Sequence, residues 1–245
     1  MTYSLNQSKK NFKCLKNPCL WIGLLFLAAC DSGDIYPKEY THDAGITVEA
    51  TFVFENPNVF PNDYPLIFGV FNDEQPTPLT SVRIIKPKNN NPVNVSIENI
   101  SAEATSIRLC LTNLGRQPVF VLFEMKIDKN NTDNIVIPES KIDLMTYDRI
   151  QKLIFEQYTC VACHQGTVGA GNLLLTAERS YNDLVNKASH KFPNKNRVSP
   201  FEINNSFLLD VVTDNTLELT QPHTSFITRN DDFTLLEEWI KNGAK

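Results

Sequence analysis

Two patterns of apolar residues divide the chain. Up to about residue 140 they alternate: Ile46, Val48, Ala50, Phe52 and Phe54 stand at every other position among mostly polar neighbours. Val119, Val121, Phe123, Met125 and Ile127 repeat this with more apolar company. Between the two runs lie PLIFGVFN, TSVRIIKP, VNVSIENI and TSIRLCLTN, separated by Pro, Asn and Gly clusters, and NIVIPES closes the series. From residue 141 onward the steps lengthen to three and four. Tyr147, Ile150, Leu153, Ile154 and Tyr158 follow a helical period with Asp148 in the first turn. Thr176 is a cap candidate for a helix carrying Tyr181, Leu184 and Val185, and Asn205 or Ser206 for one carrying Phe207, Leu208 and Val211. The clearest helix has Asn230 as cap, Asp231 and Asp232 in its first turn, Phe233, Leu236, Trp239 and Ile240 on one face, and Gly243 as stop.

Seven short strands at this spacing predict an N-terminal all-β sandwich, immunoglobulin-like or transthyretin-like, over residues 46–140, with a five-stranded barrel as the alternative. Residues 141–245 are predicted to form a second, all-α domain. The β region holds no His, and its carboxylates are scattered, so a spacer or adaptor role is expected for it. Cys110 falls on the opposite side of its strand from Ile107, Leu109 and Leu111, which reads as a small buried residue beneath a second layer.

The N-terminus changes the compartment. Lys9, Lys10, Lys13 and Lys16 precede the apolar run LWIGLLFLAA, residues 20–29, which is too short to span a bilayer and reads as the core of a signal peptide over residues 1–29. The run ends in Leu27-Ala28-Ala29-Cys30, which resembles the bacterial lipoprotein signal and implies lipidation of Cys30, with residues 30–45 as a flexible tether. The expected location is the periplasmic side of a bacterial membrane, inner or outer, with the membrane reached through the lipid. Without residues 1–29 the chain keeps 19 basic against 28 acidic residues, a net charge of −9, which excludes a nucleic-acid binder.

The chemistry is concentrated in TCVACHQG, where Cys160-x-x-Cys163-His164 stands just after a helix. Zinc lacks a second Cys-x-x-Cys or a His pair to complete four ligands. A thioredoxin-type pair needs a strand running into the motif. Haem attachment needs two thiols two residues apart and an adjoining imidazole for the iron, and it occurs outside the cytoplasm.

Residues 141–245 resemble a small periplasmic monohaem cytochrome c domain, on Cys160-Val161-Ala162-Cys163-His164, Gly171-Asn172-Leu173-Leu174-Leu175 and Trp239-Ile240-Lys241-Asn242-Gly243-Ala244. The whole resembles a bacterial lipoprotein with a C-terminal cytochrome c domain. The resemblance implies one covalent haem c on Cys160 and Cys163, His164 as iron ligand, packing of the first helix against the last, and single-electron transfer to a redox partner protein without side-chain catalysis. Such domains usually place a Met about twenty residues before the terminal Trp; here Gln221-Pro222-His223 stands there. Three arrangements stay open for the sixth position: His223, His190, or an open site, the last implying a haem-based ligand binder or sensor. An adaptor lipoprotein whose β domain binds a partner is a further alternative. Lys187, Lys191, Lys195 and Arg197 form a basic segment that is either a solvated face or a docking patch for an acidic partner.

Overall fold

In the computed structural model, residues 45–245 are described apart from Lys129 and Asn131. The signal peptide, Cys30 and nearly all of the tether therefore lie outside the described residues. Strand β1, Val48–Glu55, is the centre of one sheet: its burial alternates, with Val48, Ala50, Phe52 and Phe54 turned inward. It pairs antiparallel with β4, Val93–Ile97, and parallel with β7, Ile135–Asp143. The second sheet has the order β3–β2–β5–β6, from β2 (Leu66–Phe71), β3 (Thr80–Arg83), β5 (Ser106–Thr112) and β6 (Pro118–Lys126), all antiparallel.

The sheets meet through aromatic rings. Phe52 of β1 packs edge-on against Phe68 of β2 at 5.5 Å and against Phe123 of β6 at 5.9 Å. β2 and β5 are apolar on both faces because the outer face of this sheet is covered too. Cys110 sits there with Ile67 and Phe71, fully buried, its thiol pushed up to about 12 by that burial. Arg108 stacks on Phe71 at 4.9 Å and pairs with Asp73 and Glu124, forming a charged lid over the patch.

The expected fold class, an all-β sandwich plus a C-terminal all-α cytochrome c-like domain, is corrected here. Among the described residues the chain is mainly β-sheet, seven strands in two sheets, with a few short helices. After β7 come α1 (Tyr147–Ile150), a π-helical turn (Gln151–Glu156), α2 (Cys160–Cys163), α3 (Ser180–Leu184), α4 (Phe207–Thr213) and α5 (Asn230–Lys241). Among the described residues only α5, with 12 residues, and the continuous run of α1 and the π-helical turn, Tyr147–Glu156, exceed two turns. Irregular chain fills the intervals, tied by isolated bridges such as Val185 to Val198. These short segments pack partly on one another, where Tyr147 of α1, Tyr181 of α3 and Trp239 of α5 meet, and partly on the sheets: Ile150, Leu153, Leu235 and Trp239 belong to the same buried cluster as Phe52, Phe68 and Leu109.

Polar contacts reinforce that packing. Thr146 caps α1, accepting from the Arg149 amide. The fully buried Arg149 donates through Nη1 to the carbonyls of Val59 (2.9 Å) and Leu144 (2.7 Å), stitching α1 to the loop after β1. Asp231, in the first turn of α5, accepts from the backbone amides of Asn62 and Asp63. Tyr147 of α1 lies 5.3 Å from Trp239 of α5, whose indole donates to the Lys245 carbonyl at 2.8 Å. No helix among the described residues is long and apolar enough to cross a membrane.

Asp232 is fully buried and, among the described residues, accepts a side-chain hydrogen bond from the Tyr158 hydroxyl alone, at 2.7 Å. Burial raises its pKa, opposed by the Tyr158 hydrogen bond and by the charges of Arg229 and Arg149. A carboxyl raised above its unfolded value contributes stability that is present below the ordinary carboxyl range and is lost as pH rises through the raised value. Asp232→Asn should therefore flatten the decline in unfolding free energy between acid and neutral pH. Urea titrations at several pH values check this; parallel profiles for the two proteins would count against it.

Candidate haem-attachment site

The Cys-x-x-Cys-His segment is a single helical turn bounded by a reversal. The chain leaves the π-helical turn through Gln157 and Tyr158. Thr159 adopts a left-handed conformation (φ 59°), and α2 begins at Cys160. The His164 amide donates to the Cys160 carbonyl at 3.1 Å, closing the turn. In such a turn residues i, i+3 and i+4 share one face, so Cys160, Cys163 and His164 stand side by side. Cys160 is half-buried, Cys163 is exposed, and both are free thiols. Burial pushes the Cys160 thiol above its ordinary value.

The following loop fixes the imidazole. Leu175 donates its amide to the His164 carbonyl at 2.7 Å, and the Leu173 carbonyl lies 3.3 Å from His164 Nδ1. A carbonyl only accepts, so Nδ1 carries the proton and Nε2 keeps its lone pair. Burial lowers the His164 pKa, with the backbone bonds to Leu173 and Ala170 pulling the other way. The loop is itself anchored. Leu174 donates to Asp183 (3.1 Å), and Gln151 donates to the Leu175 carbonyl (2.9 Å) while accepting from Ser180 (2.7 Å). Gly169, at φ 70°, permits a close approach in which a Cβ would overlap the Leu173 carbonyl oxygen.

His223 comes to this site from an irregular segment between α4 and α5. Its ring centroid is 6.2 Å from that of His164, with 42° between the planes, and Phe226 packs on it at 5.7 Å. Its Nδ1 is buried with no hydrogen-bond partner among the described residues. His190 is exposed and faces Asn172, with 3.2 Å between its Nδ1 and the amide nitrogen. Gln221 is exposed. The sulfur of Met145 accepts from Asn242 at 3.9 Å.

The basic segment is largely used within the chain. Lys195 pairs with Asp210 at 2.6 Å, Lys191 donates to the Glu218 carbonyl, and Arg197 donates to the carbonyls of Asp183 (2.7 Å) and Asn172 (2.6 Å). Arg197 thus grips the loop that positions Leu173, a role that the spacing of charges does not announce. Nor did apolar periodicity single out Asp183, Gln151 or Gly169; the clustered glycines of GTVGAG were the one available sign of left-handed backbone.

Among the described residues no three His, Cys, Asp or Glu side chains converge to hold a bare metal ion. A porphyrin brings four nitrogens of its own and asks the protein for one or two ligands, so the donor set here, two thiols and an oriented imidazole, fits haem. The exposed Val168 and Phe226 add apolar surface close to His164 in sequence and beside His223 in space. In comparisons with known proteins the chain matches no protein-family model, no curated protein and no solved structure.

Proposed function

We propose that this chain is a secreted, lipid-anchored electron carrier that holds one haem covalently and exchanges single electrons with a partner protein. The observation that carries the reading is the α2 turn, which brings Cys160, Cys163 and His164 into one closed helical turn with the imidazole oriented by the Leu173 carbonyl. Attachment needs no oxidant. Each thiol would add across one vinyl group, its sulfur bonding to one carbon and its hydrogen passing to the other. Bound haem supplies an iron that cycles between two oxidation states.

The chain's own contribution is placement. Cys160 and Cys163 of α2 would hold the haem through thioethers, and His164 would ligate the iron. The 169–175 loop prevents the imidazole from rotating away, and its bond to Leu173 raises the basicity of the ligating nitrogen. Cys30 would hold the protein at a membrane, with the acidic body favouring partners that present basic patches.

Expression of the full chain in a host that exports and matures c-type cytochromes tests this. The denatured, washed polypeptide is expected to retain haem colour, and Cys160→Ala/Cys163→Ala to lose all of it. A colourless wild-type protein from that host would refute the reading.

A further inference from the structure

We infer that His223 is the second axial ligand, so that the iron is held between two imidazoles, His164 and His223. The inference rests on the haem-attachment reading above and extends it to the opposite side of the iron. Its basis is a distance. Two imidazoles bonded to one metal at about 2 Å each place their ring centroids about 6 Å apart. The observed 6.2 Å is that separation. It is too long for a hydrogen bond between the rings. The 42° between the planes is compatible as well, because two axial rings share the metal axis and differ by rotation about it.

The competing candidates are placed differently. His190 is exposed and engaged with Asn172, and Gln221 is exposed. His223 is half-buried, with Phe226 against one side of its ring. The segment that carries it is fastened on both sides: Lys191 holds the Glu218 carbonyl, and Ile227 is buried just ahead of α5. The Nδ1 of His223 is buried with no hydrogen-bond partner among the described residues, a desolvation that a chain tolerates where the ring has another use. Imidazole in place of a thioether favours the ferric state, so the potential lies below that of a His/Met pair.

The test uses the full-length, haem-loaded protein. The wild type is expected to be six-coordinate and low-spin in both oxidation states, and the ferrous form should not bind carbon monoxide. His223→Ala should turn the ferric iron high-spin, bind carbon monoxide when reduced, and regain the low-spin spectrum on addition of free imidazole. His223→Met should restore low spin with a raised potential, and His190→Ala should match the wild type. Covalent haem content is measured for every variant. If His223→Ala and His223→Met carry covalent haem yet keep the wild-type spectrum, spin state and carbon monoxide behaviour, His223 is not the ligand and the attachment reading stands alone. If the wild type carries no covalent haem, both readings fall together.

Discussion

Replacing Arg149 with alanine is expected to lower the free energy of unfolding by about 3–5 kcal/mol. The guanidinium is fully buried, and its Nη1 is the donor to two backbone carbonyls, one in the loop after β1 and one at the junction of β7 and α1. Alanine removes both bonds, leaves a void where the stem packed, and withdraws a positive charge that opposes the raised pKa of Asp232. Burial already lowers the Arg149 pKa to about 10, a sign of how far the charge is from water. Arg149→Met keeps most of the stem volume and loses only the polar part, so it should fall between wild type and alanine. Urea unfolding at neutral pH measures all three. A loss under 1 kcal/mol for alanine would mean that α1 does not depend on this residue for its seat on the sheets.

The second large effect is expected at Gly169. Its φ of 70° disfavours a side chain, and an added Cβ would overlap the Leu173 carbonyl oxygen, the acceptor that orients His164. The backbone must then move at residue 169 or at residue 173, and either shift loosens the imidazole. Gly171 is the control. It too has a positive φ, 62°, but a Cβ there meets nothing within 4 Å. Gly171→Ala should cost about 1 kcal/mol, the strain of left-handed backbone alone. Gly169→Ala should cost several times more and, in haem-loaded protein, perturb the spectrum of the iron. Thermal unfolding paired with optical spectra separates the two outcomes; equal effects at the two glycines would show that the close approach to Leu173 does not hold the loop.

The strands were readable because half-buried β-structure writes its period directly into the sequence, as Val48, Ala50, Phe52 and Phe54 do. Their partners were not: the parallel pairing of β1 with β7 links residues about ninety positions apart and leaves no local trace. The terminal helix was legible from Leu236, Trp239 and Ile240, although Arg229 rather than Asn230 takes its cap position. The all-α expectation failed for the intervening chain. Helical spacing at Tyr181, Leu184 and Val185 ends after one short turn, because Val185 bridges to Val198 and Arg197 reaches back to Asp183. Such long-range polar ties override weak local preference. At the site, the spacing named Cys160, Cys163 and His164, whereas the Leu173 carbonyl that orients His164 is backbone, and Asp183, Gln151 and Arg197, which hold its loop, stand at positions with no distinctive spacing.

The junction between β7 and α1 bears on how electrons would travel. Only Leu144, Met145 and Thr146 separate the last paired strand from the first helix, and Leu144 is fully buried beneath Arg149. There is no slack for a hinge at that point. The α2 turn and the sheets then move as one piece, and on the proposed reading a redox partner would have to meet the correct side of the whole body. Orientation on encounter, more than any swing of a tethered cofactor arm, would then set the pace of transfer.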